Sequence, residues 1–238
     1  MAARRRLRGC GIGIAFGLLV GAGVTYVLRR HVDREQLQRR LWDPIYDKLA
    51  PVYDFVVEDL TGFTTHRYRR RALPYLPPDG ARVLEIGFGN GRLHAELAER
   101  YETAGLDRAS GMVRLTRARL AERDLHSDLQ QGDATALPWL DATFDAVVAT
   151  FALSAIPNID TALDEMVRVL RPDGRVVIVD AGESVEGTWF ARALARLWEI
   201  LGDYMREEGP LLRARGFRVQ REEFGPGGCV HVVVGTKL

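Results

Sequence analysis

The sequence predicts an α/β fold: a doubly wound, mostly parallel sheet of seven strands with an antiparallel C-terminal hairpin, preceded by a hydrophobic N-terminal helix. Three observations predict it. Short apolar runs alternate with helix-period segments between residues 82 and 179, two strand-like runs flank Gly225-Pro226-Gly227-Gly228, and residues 10–28 carry no charge. With 238 residues, 47% hydrophobic and 27% charged, the chain can bury one core with an appendage.

Residues 1–9 form a basic N-terminus with Arg4, Arg5, Arg6 and Arg8. Residues 10–28 then make a helix of roughly 28 Å at about 1.5 Å per residue, close to the bilayer's hydrocarbon thickness of about 30 Å. This segment reads as a membrane anchor. Gly13, Gly17 and Gly21 recur every fourth residue on one face, a small-residue pattern through which two such helices make a homodimer. Arg29, Arg30, Arg34, Arg39 and Arg40 follow, so arginines flank both ends and the positive-inside rule is nearly tied. A cleaved signal peptide is the competing reading.

Residues 36–78 read as short helices broken by Pro44, Pro51 and Gly62, a helical segment lying over the substrate side. The domain proper spans residues 79–238. Its elements come in order: strand 82–86, helix 92–100, strand 103–106, helix 110–123, strand 127–131, strand 144–151, helix 161–170, strand 175–179, a helical stretch 188–208, and the paired strands 217–224 and 229–234.

The net charge of +1 hides an asymmetry, because residues 1–71 hold 14 Lys/Arg against 7 Asp/Glu. A basic head suits an anionic partner, and the uncharged run between its arginines points to lipid and not to nucleic acid; solvated arginine faces account for part of the excess. Cys10 and Cys229 match no metal-ligand spacing, and the five histidines pair with no cysteine or acid in such a spacing. No metal site is expected.

The strongest local signal is Val83-Leu84-Glu85-Ile86-Gly87-Phe88-Gly89-Asn90-Gly91, an apolar strand ending in glycines that open a helix. Such a turn lets backbone approach a ligand, and the helix N-terminus offers unpaired N–H groups. The dinucleotide fingerprint needs a glycine or alanine at position 92, where Arg92 stands, so NAD is disfavoured.

Glu85, Gly87, Gly89 and Gly91 together resemble the first motif of the class I S-adenosylmethionine-dependent methyltransferases, and the resemblance covers about residues 82–179. It implies the Rossmann-like fold of that family and S-adenosylmethionine as cofactor. Asp107 matches the family's ribose-binding acid, Met112 its apolar residue on the adenine, and Gly132-Asp133-Ala134 its adenine motif, with Asp133 accepting from the exocyclic amine. Thr150, at the end of the fourth strand, joins this cofactor set. Ala109 replaces a frequent serine, which leaves Ser110 to cap the turn. A cytosolic cofactor implies a catalytic body in the cytoplasm, behind a single-pass or interfacial anchor.

On the acceptor side no catalytic residue is identified, and a histidine base near Ser154 is excluded. Ser154 and Asn158 read either as acceptor contacts or as loop caps. The run Tyr46-Asp47-Lys48-Leu49-Ala50-Pro51-Val52-Tyr53-Asp54 resembles the N-terminal lid of the quinone-ring and phospholipid methyltransferase branches. Tyr46 and Tyr53 are then either lid residues over the sulfonium or core aromatics. The expected activity is methyl transfer to a hydrophobic or membrane-resident acceptor, a phospholipid amine or a quinone-type ring. The alternatives are a catalytically silent, membrane-tethered binding module and a small-molecule methyltransferase.

Overall fold

Strands covered on both faces read as continuous apolar runs, and the two clearest such runs form the middle of the sheet. They are β1 (Arg82–Ile86) and β4 (Phe144–Thr150), paired in parallel with Val83 against Ala146 and Ile86 against Ala149. The computed structural model describes residues 64–182, 204, 206–225 and 228–238. The predicted anchor at 10–28, residues 36–63 of the predicted lid and nearly all of the predicted helical stretch at 188–208 lie outside them.

Beyond β1 lie β2 (Glu102–Asp107) and β3 (Asp128–Gln131); beyond β4 come β5 (Leu170–Ala181), β7 (Val230–Lys237) and β6 (Phe217–Phe224). The order is β3-β2-β1-β4-β5-β7-β6. The predicted hairpin forms. Its second strand joins β5, so the antiparallel strand sits one place in from the edge and β6 is the edge strand. Burial explains the choice. Residues 230–235 are buried throughout and need cover on both sides, whereas β6 exposes Arg218, Gln220 and Glu222 on one face, as an edge strand tolerates.

Five helices flank the sheet among the described residues: α1 (Thr64–Arg69), continued as a 3-10 turn over Arg70–Tyr75, α2 (Arg92–Ala98), α3 (Ser110–Ala121), α4 (Ile159–Val169) and α5 (Glu208–Arg213). Alternate strand residues serve opposite faces. Leu84, Ile86, Val147, Ile178 and Val233 pack with Leu163 and Met166 of α4 and Leu212 of α5. Val83, Val148, Val177 and Val232 pack with Ala72, Leu76, Leu93 and Leu97 on the other side. Among the described residues no helix is long and apolar enough to cross a membrane.

Candidate functional site

The C-terminal ends of β1, β2 and β4 lie side by side, because these strands are parallel neighbours. After Ile86 the backbone turns through Gly87, Gly89 and Gly91, with φ of 68°, 54° and 71°. Two of these glycines also have no room for a side chain. A Cβ on Gly87 would stand 2.5 Å from the Ala152 Cβ, and one on Gly91 would run into Thr116. The glycine turn is therefore wedged between the loop after β4 and helix α3, whose Thr116 Oγ1 donates to the Gly89 carbonyl at 3.0 Å.

Asp107 ends β2 beneath this turn. One carboxylate oxygen accepts from the Gly89 N–H at 2.8 Å and the other from the Ala109 N–H at 2.9 Å. Burial pushes its carboxyl up to about 6, Glu85 pushes in the same direction, and the two N–H groups and Arg69 pull against it. Each oxygen retains a lone pair after these bonds, so the group still has capacity to accept two vicinal hydroxyls. The Ala109 contact corrects the expectation for Ser110. No side chain caps α3; Asp107 holds the turn before it, and the Ser110 hydroxyl accepts from Arg114 at 2.9 Å.

Glu85 belongs to a buried chain that sequence reasoning missed. Its carboxylate meets His94 Nδ1 at 3.0 Å, and His94 Nε2 meets Ser127 Oγ at 2.8 Å. Ser127 spends its single proton on the Thr103 carbonyl, so His94 Nε2 must be the donor to Ser127. His94 is fully buried, and it fixes the carboxylate two residues before the glycine turn from the helix that follows it. No spacing in the sequence shows this pair, because 9 residues and a strand-to-helix turn separate its members.

The other expected cofactor-side residues gather around the same strand ends. Met112 is 2% exposed and packs with Ala109 at the start of α3. Asp133 follows β3 and accepts from the Thr135 N–H at 3.0 Å and its hydroxyl at 2.8 Å, and Ala134 beside it is buried. Thr150 ends β4, its buried hydroxyl without a hydrogen-bond partner among the described residues.

On the expected acceptor side, Phe151 turns the chain at φ 51° and a 3-10 turn over Leu153–Ala155 follows. Ser154 donates to Asp180 twice, from its N–H at 3.0 Å and from its hydroxyl at 2.9 Å. Arg206 braces the same loop by donating to the carbonyls of Ile156 and Pro157 at 2.6 and 2.8 Å. Asn158 is exposed and accepts from Thr161 as the N-cap of α4, which is the capping alternative for that residue. Tyr46 and Tyr53 lie outside the described residues. Asp180, Glu208 and His231 are all buried at this end of the sheet; the sequence shows no sign of a role for the two acids, and His231 is one of the five histidines to which it assigns none.

A model of the methyltransferase domain matches residues 84–178, the span from β1 to β5 that carries these groups. A phosphatidylethanolamine N-methyltransferase from Cereibacter sphaeroides is 36% identical over 155 residues, 63% of this chain and 74% of that protein. The chain belongs to the methyltransferase family. A demethylmenaquinone methyltransferase from Thermus thermophilus is 34% identical over 57% of this methyltransferase, which spans 64% of that relative. The fold is shared with an S-adenosylmethionine-dependent methyltransferase structure from Thermotoga maritima at TM-score 0.63 and 22% identity, covering 82% of this chain and 99% of that one.

Proposed function

We propose that this methyltransferase moves a methyl group from S-adenosylmethionine to a hydrophobic or membrane-resident acceptor, a phospholipid amine or a quinone-type ring. The observation that carries the cofactor half is Asp107, a buried carboxylate with unused acceptor capacity, bonded to the glycine turn at the end of β2. Glu85 behind the turn, Met112 and Ala134 as apolar surface, and Asp133 beyond β3 fit the rest of such a cofactor, whose sulfonium supplies the transferable methyl. Displacement at that methyl is in line, so the protein's work is to place the acceptor and exclude water.

The acceptor half rests on two named relatives, one acting on phosphatidylethanolamine and one on demethylmenaquinone, and on the uncharged residues 10–28 between arginines. In this reading the anchor holds the enzyme at the membrane with its catalytic body in the cytoplasm, Tyr46 and Tyr53 close over the bound pair, and the glycine face of the anchor pairs two copies. The test is an incubation of the full chain and labelled cofactor with vesicles containing phosphatidylethanolamine or a demethylated quinol, and with water-soluble amines. A mass shift in a vesicle lipid equal to one labelled methyl in place of a hydrogen is expected. Transfer confined to the soluble amines would overturn the acceptor class, and transfer to nothing would favour the catalytically silent module.

A further inference from the structure

We propose that Asp180, acting through Ser154, receives the proton that the acceptor loses on methyl transfer. This rests on the methyl-transfer reading above and names a proton path within the same site. Ser154 would touch the acceptor; Asp180 is the positioning and proton-holding residue behind it.

The placement comes from the sheet. Ala152 abuts the glycine turn at Gly87, and Ser154 lies two residues further along the same loop. Ser154 retains 8% exposure, whereas Asp180 has none. Ser154 supplies the hydroxyl bonded to Asp180, and their 2.9 Å bond already points its hydrogen at Asp180 Oδ1. The Ala181 N–H at 2.8 Å and the Ser154 N–H at 3.0 Å hold the carboxylate in place for the exchange.

The surroundings favour a carboxylate that takes up a proton. Burial pushes Asp180 up to about 6, and Glu208 of α5 adds to the push. The other facing groups are His231, paired across the sheet with Asp180 in β7, and Arg206 ahead of α5. His231 Nε2 is bonded to Glu208 at 2.8 Å, and its Nδ1 is buried without a hydrogen-bond partner among the described residues. Both carboxylate oxygens hold the 3-10 turn, and an ionisable group set beside a second buried carboxylate, Glu208, is also an arrangement that general-base sites use.

The step balances. The acceptor's electron pair, an amine lone pair or a ring π pair, bonds to the methyl carbon, the C–S bond breaks, and its electron pair stays on sulfur, converting the sulfonium to a thioether. The acceptor's proton moves to Ser154 Oγ while the Ser154 proton passes to Asp180 Oδ1. A positive sulfonium and a negative carboxylate become two neutral groups. Reverse exchange with water through Ser154 restores the carboxylate once product has left.

The test uses the full chain, S-adenosylmethionine, and vesicles carrying phosphatidylethanolamine or a demethylated quinol, with kcat and KM measured across pH for the parent, Asp180→Asn, Ser154→Ala and Ser154→Thr. Asparagine preserves the size of the side chain and an acceptor for the turn. Asp180→Asn should lower kcat about tenfold or more near pH 7 with KM and cofactor affinity within about twofold, and should abolish the acidic limb near pH 6. Ser154→Ala should match it, and Ser154→Thr should recover most of the rate. Parent-like kcat and pH profile in Asp180→Asn, with only a lowered melting temperature, would overturn the proposal and leave the methyltransferase reading standing. A parent that transfers no methyl to either probe would overturn both.

Discussion

Asp107 does two things at once, and they respond differently to substitution. It ties the glycine turn to β2 and the start of α3, and in the proposed complex it also accepts from the ribose hydroxyls. Asp107→Ala should weaken binding of S-adenosylmethionine or its demethylated product by roughly 2–4 kcal/mol, because both hydroxyls and two backbone donors lose their acceptor. Calorimetry showing parent-like affinity would remove the ribose assignment. The pH behaviour has a definite sign. A carboxyl raised from 3.8 to about 6 binds its proton more tightly in the folded state, so its ionisation penalises the fold as pH rises through that window. Asp180 behaves in the same way. Thermal melts of the cofactor-free protein should therefore show these two groups costing up to about 3 kcal/mol each above pH 6 and nothing below pH 4. Cofactor affinity should run oppositely, falling by up to about tenfold per pH unit below 6 as Asp107 is protonated. An affinity flat from pH 5 to 8 would contradict the ionised form as the binding form.

At the scale of elements, local pattern located most of the strands and helices because each carries its own period. The residues predicted for β1 are those observed, since the strand is bounded by a Pro-Pro-Asp-Gly turn and by Gly87. Helix ends were less legible: α4 begins at Ile159, two residues earlier than the apolar period suggests, because Asn158 caps it. Gly105 was not singled out at all, since a glycine within a strand looks like a weakness until its neighbours are known. A Cβ there would lie 2.7 Å from Phe88, 2.8 Å from the His94 ring and 3.0 Å from Leu129. Gly105→Ala should destabilise the protein by about 1–3 kcal/mol through overpacking. It should also disturb the Glu85–His94 contact, so a His94 ring resonance in NMR should move with it. An unchanged melting temperature would mean that the α2 side of β2 is looser than these distances imply.

For the molecule as a whole, what sequence alone concealed is which distant residues meet. Glu208 and His231 are 23 residues apart, and Ser154 and Asp180 are 26; each meeting needs the strand order, and no residue spacing encodes that β7 lies against β5. The expected cofactor-side residues fall together because glycine turn and acids follow consecutive strands. The proposed anchor gives a prediction at the same scale. Apolar burial of residues 10–28 does not depend on counterions, whereas arginine attraction to anionic lipid does. Membranes carrying the full chain should retain it in high salt and release it in detergent, and removal of residues 1–30 should leave cofactor binding intact; release by salt alone would exclude a spanning helix. The position of β7 also matters while the chain is being made. β5 leaves synthesis with one edge bare, and its partner arrives some fifty residues later, after β6 has already appeared. Until Val230–Lys237 emerges from the ribosome, the nascent sheet offers an unpaired apolar edge to other chains, so chaperone capture during translation should peak in that interval and end with the entry of this one strand.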